Sequence, residues 1–167
     1  MKLETRKLAL SGVLIALGVV LSPYHIPIGA AKCFPWQHLI NVISAILLGP
    51  VYAVINAIVI STLRNIFAMG TLLAFPGSIF GALFAGLMFK KFANTYLAAL
   101  GEVIGTGIIG AIIAYPVGIL FMGRQAAIFG LVIPFIISSF AGAVIAVLLF
   151  ELTALKKLVM KKKVSIQ

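Results

Sequence analysis

The chain has 167 residues, is 63% hydrophobic and carries a formal net charge of +10; its mean hydropathy is +1.24. Too few polar residues remain to coat a water-facing surface, so lipid must solvate most of the chain, read as one membrane domain over 1–167. A single cysteine excludes an intrachain disulfide and a four-thiolate metal site. Asp is absent and Glu occurs only at 4, 102 and 151, which argues against di-metal carboxylate chemistry.

The positive charge does not point to nucleic acid, because the cations sit at the chain ends and in one short loop. Lys2, Arg6 and Lys7 precede the first apolar run, Lys90-Lys91 split the chain, and Lys156, Lys157 and Lys161 to Lys163 close it. That is the positive-inside pattern, with attraction to anionic headgroups of the lipid bilayer. Long unbroken apolar runs exclude a barrel of short alternating strands and leave helices, which satisfy their own backbone in hydrocarbon.

In chain order, a first helix is expected over roughly 7–22. Its basic flank and apolar stretch also resemble a signal peptide with a cleavage site at Gly29-Ala30-Ala31. The small residues Gly12 and Ala16, four apart, favour a helix kept for close packing. Pro23, Pro27 and Gly29 make 22–34 an ordered loop, and Pro35 opens a short helix over 35–48 that stops at Gly49-Pro50. At about 21 Å it is too short to cross the core unaided, so it is expected to be tilted or buried. Further helices are expected over 51–67, 76–90, 95–122 (with a kink at Pro116) and 127–156, with Gly123-Arg124-Gln125 as a turn. Six crossings with both termini cytoplasmic put Lys90-Lys91 and the lysine tail inside and 22–34, 68–75 and 122–126 outside.

Polar residues inside these runs carry the functional information. Glu102 falls about 10 Å from the inner end of its helix and must face the protein interior. Arg64 either snorkels outward from its helix end or pairs with Glu102. On a helix starting at Pro35, Gln37, His38, Asn41 and Ser44 share one face, and such a stripe must meet a polar surface or a cavity. Trp36 reads as a headgroup-level anchor or as the rim of that cavity; Tyr115 is a second candidate aromatic face. The inventory lacks a supported nucleophile–base pair and enough zinc ligands. It suits binding of a small, partly aromatic solute rather than catalysis, so no enzyme activity is expected. A self-sufficient channel or secondary transporter is the alternative, and an intramembrane enzyme using Cys33 and His38 a third.

Four motifs then resemble the ThiW family: Lys-Cys-Phe-Pro-x-Gln-His-x-x-Asn at 32–41, Arg64-Asn65, Gly70-Thr71-Leu72-Leu73-Ala74-Phe75-Pro76-Gly77-Ser78, and Gly101-Glu102-Val103-Ile104-Gly105-Thr106-Gly107. The resemblance implies a substrate-binding S component of an energy-coupling factor (ECF) transporter, a six-helix bundle in the prokaryotic plasma membrane. It further implies capture of the thiamin precursor hydroxyethylthiazole, or a related heterocycle, on the outer side. Its implied partners are a transmembrane coupling protein and two ATPase subunits, so ATP is used by the partners and no cofactor by this chain. Gln37, His38, Asn41, Trp36, Arg64, Glu102 and Tyr115 become the expected substrate contacts. Ala9, Gly12 and Ala16 become the expected docking residues, with Gly12 standing where S components commonly carry Ala.

Overall fold

The computed structural model describes residues 2–28, 31–123 and 129–153. The expected cleavage site at 29–30, the turn at Arg124-Gln125 and the lysine tail therefore lie outside the described residues. Apart from one short hairpin the fold is helical: α1 (Lys2–Val20), β1 (Ile26–Ile28), β2 (Ala31–Cys33), α2 (Pro35–Leu48), α3 (Pro50–Ile66) and α4 (Ala74–Phe92). α5 covers 95–122 in three continuous segments, Thr95–Ile104, a π-helical Gly105–Gly110 and Ala111–Met122, and α6 is Phe129–Leu152. Two stretches, Thr95–Phe121 and Gly130–Leu152, are long and apolar enough to cross a membrane alone. Large apolar side chains such as Leu8, Val20, Val51, Leu120 and Phe140 stand exposed around the outside, where only lipid would favour them.

α2 is the axis of the bundle. Its 14 residues are buried almost throughout, from Pro35 and Gln37 to Ile46 and Leu48, so a helix too short to span instead spends its length inside protein. Leu39, Ile40, Val42, Ile43 and Ile46 join Leu14, Ile60, Phe89 and Phe150 in the main apolar core. Gly49, at φ +92°, turns the chain straight into α3, a conformation that only glycine adopts without strain. At the other end of α4 the chain turns at Ala93, and the Asn94 side chain caps α5 by accepting from the N–H groups of Tyr96 (2.8 Å) and Leu97 (3.2 Å).

The 22–34 loop is more structured than its Pro and Gly content suggests. β1 and β2 pair antiparallel, with Ile26 opposite Cys33 and Pro27 opposite Lys32. The hairpin leads into α2 and is pinned to α6, because the Phe34 N–H donates to Ser138 Oγ at 2.8 Å. Trp36 Nε1 donates to the Tyr24 carbonyl at 2.7 Å, tying loop and helix together; the ring is half-buried.

α1 packs through Ser11, Leu14 and Gly18. Ser11 donates to Asn56 Oδ1, and a Cβ on Gly18 would lie 2.6 Å from Ile60 Cδ1. The other small residues of α1 lie on another face. Ala9, Gly12 and Ala16 all face outward, and a Cβ on Gly12 would meet nothing. The reason is phase: positions 11, 14 and 18 recur at helical spacing on the inner face, and 9, 12 and 16 lie on another.

Candidate functional site

At the hairpin end of the bundle, four helices meet around side chains that have no business in hydrocarbon. α2 supplies Gln37, His38 and Asn41, α3 supplies Arg64, α4 supplies Ser78, and α5 supplies Glu102 and Thr106. All seven are buried, and Glu102 is 0% exposed. The seam between α4 and α5 holds Glu102 in place. Cβ atoms on Gly101 and Gly105 would come within 2.7 Å of the Phe84 carbonyl and 2.5 Å of the Phe80 carbonyl. From the facing side, a Cβ on Gly81 would run into Thr106 Oγ1 and the Glu102 carboxylate. Glycine on both helices lets the backbones touch, and that contact carries Glu102 up against α2. The π-helical turn begins immediately after, with the Ala111 N–H reaching the Thr106 carbonyl. Single π turns of this kind often mark functional sites.

Glu102 Oε1 accepts from His38 Nδ1 at 2.7 Å and from Asn41 Nδ2 at 3.0 Å. Asn41 Nδ2 also donates to the Ser78 carbonyl at 3.2 Å. Thr106 Oγ1 lies 3.2 Å from the same carboxylate oxygen and 3.0 Å from the Gly77 carbonyl; with one hydrogen it serves one at a time. With Oε1 as acceptor, Nδ1 is the ring nitrogen that carries the hydrogen in this pair. The side-chain partners of Glu102 on α2 are thus His38 and Asn41. The pairing of Glu102 with Arg64 is not formed.

Arg64 does not snorkel either. It is 2% exposed and turns inward, donating from Nη1 to Gln37 Oε1 at 3.1 Å. Its guanidinium lies over the Phe34 ring, 4.0 Å from the centroid, a cation–π contact strengthened by the lack of water. Among the described residues, five buried side-chain polar atoms have no hydrogen-bond partner: Gln37 Nε2, Arg64 Nε, Arg64 Nη2, Asn41 Oδ1 and Glu102 Oε2. Each would normally be satisfied in a native interior, at a penalty of about 1–3 kcal/mol when it is not.

The remaining expected contacts are placed less centrally. Trp36 lies beside the cluster but turns its indole N–H to the Tyr24 carbonyl. Tyr115 sits half-buried on the last segment of α5, and no hydrogen bond joins it to the cluster. Ser44, expected on the same stripe, accepts instead from Asn56 Nδ2 at 3.0 Å. Cys33 does not contact His38; its Sγ lies 3.5 Å from the Pro134 carbonyl, and burial pushes its thiol up from the usual range. Among the described residues no three His, Cys, Asp or Glu side chains gather as metal ligands. Phe34, Ser78 and Thr106 were not singled out as site residues by sequence. Thr106 could have been, since it stands one turn from Glu102 on the same face.

One protein-family model matches the chain, over residues 8–158, and it describes the thiamine-precursor transporter protein ThiW. No curated protein sequence matches, and no solved structure does.

Proposed function

The chain belongs to the ThiW family of thiamine-precursor transporters, and from that premise we propose that it is the S component of an ECF importer for hydroxyethylthiazole. It is then a membrane transport protein rather than an enzyme, and its own part in transport is capture. The observation that carries this reading is the set of five unpartnered polar atoms buried beneath the hairpin. They are buried donors and acceptors that a small polar ligand would satisfy. The aromatic neighbours Phe34 and Trp36 offer faces to a flat heterocycle.

Orientation follows from charge. Lys7 and Lys90 line a cavity of about 400 Å³ at the end opposite the hairpin, beside Gly49, Pro50 and Tyr52. Lysines at one end favour the cytoplasmic side, which puts the hairpin outside; six crossings of the plasma membrane with cytoplasmic termini fit that orientation. Ligand enters from outside once Phe34 and the hairpin lift from Arg64. The outward face of α1 with Ala9, Gly12 and Ala16 docks on the transmembrane coupling protein, since small residues allow close helix approach in lipid. The coupling protein carries two ATPase subunits, which hydrolyse the ATP.

Titrating the purified chain with hydroxyethylthiazole is expected to give saturable heat or fluorescence changes at micromolar ligand; a flat titration overturns the substrate. Proteoliposomes are expected to accumulate ligand only when the coupling protein, the ATPases and ATP are all present. Accumulation by the chain alone would instead establish a self-sufficient carrier.

A further inference from the structure

The five unpartnered atoms are not a random set. Three are donors and stand together: Arg64 Nε, Arg64 Nη2 and Gln37 Nε2, joined by the Arg64–Gln37 hydrogen bond. Two are acceptors and also stand together: Glu102 Oε2 and Asn41 Oδ1, joined by the Asn41–Glu102 hydrogen bond. Gln37 and Asn41 are one helical turn apart on α2, so the backbone positions that carry the two groups stand about 6 Å apart along its axis. The donor group lies toward the hairpin, under Phe34, and the acceptor group lies deeper, at the α4–α5 seam.

Resting on the reading of the site as the substrate pocket, we infer that it reads its ligand as a dipole. An acceptor atom, such as a ring nitrogen, faces Arg64 and Gln37. A hydroxyl or amino donor at its other end faces Glu102 and Asn41. The inference extends to what the site refuses. Arg64 and Glu102 are both buried, and the carboxylate lies at the acceptor end with Asn41. A phosphate ester of the same alcohol would bring nearly two negative charges to the Glu102 end, where the low dielectric magnifies repulsion. The site therefore disfavours a phosphate ester of its ligand.

Four ligands test this against purified protein: hydroxyethylthiazole, its phosphate ester, the ethyl analogue without the hydroxyl, and the thiophene analogue without the ring nitrogen. The alcohol is expected to bind, its ester at least a hundredfold more weakly, and each analogue about tenfold more weakly for the lost hydrogen bond. Glu102→Gln should weaken the alcohol by about tenfold, the ethyl analogue by no more than about twofold, and should narrow the gap to the ester. Arg64→Gln should weaken the alcohol in the same proportion and leave the thiophene analogue nearly as it was. An ester that binds as tightly as the alcohol overturns the exclusion, and equal losses for alcohol and analogue in either variant overturn the dipole; both results leave the S-component reading standing. Silence from all four ligands removes the ligand class, and the inference with it.

Discussion

Two polar clusters lie inside this bundle, and they differ in one respect. Ser11, Ser44 and Asn56 close on themselves: the Ser11 hydroxyl serves Asn56 Oδ1, Asn56 Nδ2 serves Ser44 Oγ, and none of their side-chain atoms is among the buried unpartnered ones. The Gln37–Arg64 and Asn41–Glu102 groups leave five atoms open. Both clusters join α2 to α3, and both are buried. The closed one fastens α1, α2 and α3 together, since in lipid a satisfied interhelical hydrogen bond is worth something and a broken one leaves an unpaired group. The open one leaves buried polar atoms without a partner, at a cost in stability. Burial of polar residues alone does not separate the two; hydrogen-bond satisfaction does.

The comparison can be broken or sharpened by substitution, with thermal or denaturant unfolding in detergent as the readout. The largest effect is expected at the seam that presents Glu102. Gly105→Val would force α5 away from the Phe80 carbonyl, costing about 3 kcal/mol by overpacking and weakening ligand binding as Glu102 withdraws. Next, Asn56→Leu should destabilise by about 2 kcal/mol, because it strands the Ser11 and Ser44 hydroxyls, while ligand affinity in the folded fraction holds. The opposite sign is expected in the open cluster. Arg64→Met removes a buried charge without a carboxylate partner and should raise the stability of the ligand-free protein by about 1–2 kcal/mol, while abolishing stabilisation by ligand. A destabilised Arg64→Met protein would show that Arg64 is structural, and the contrast would fail. Ser11→Ala, leaving one acceptor of Asn56 unpaired, should cost about 1 kcal/mol.

The smallest effect is kinetic. The Cys33 thiol is buried and pushed up from its usual range, so little thiolate exists at neutral pH and alkylation should be slow. Raising the pH toward the raised value increases the thiolate fraction and the rate. Ligand that holds the hairpin down should slow the reaction further; a rate indifferent to ligand would detach the hairpin from the binding event.

Much of the architecture was legible in the chain. Long apolar runs cannot coat a water-soluble surface, Pro35 and Gly49-Pro50 punctuate α2, and Asn94 caps α5, all by local rules that act within a few residues. Gln37, His38 and Asn41 were grouped by helical periodicity, which is also local. The pairing of Ile26–Ile28 with Ala31–Cys33 was not visible, because two strands of three residues each carry almost no alternation to read. Neither was the π-helical turn, whose cause is close packing of glycines against a neighbouring helix.

What the sequence by itself determined is a lipid-solvated helical chain with a misplaced set of polar side chains on known faces. Which of them meet was decided only by tertiary structure. Charge alone would pair Arg64 with Glu102; the glycine seam of α4 and α5 instead brings Glu102 to His38 and Asn41, and leaves Arg64 to Gln37 and Phe34. The same holds for α1, whose small residues face outward because Ser11, Leu14 and Gly18 take the inner face. Periodicity assigns a residue to a side of its own helix. The partner across the gap depends on the tilt, depth and closeness of two helices, and those are set by packing along their whole length.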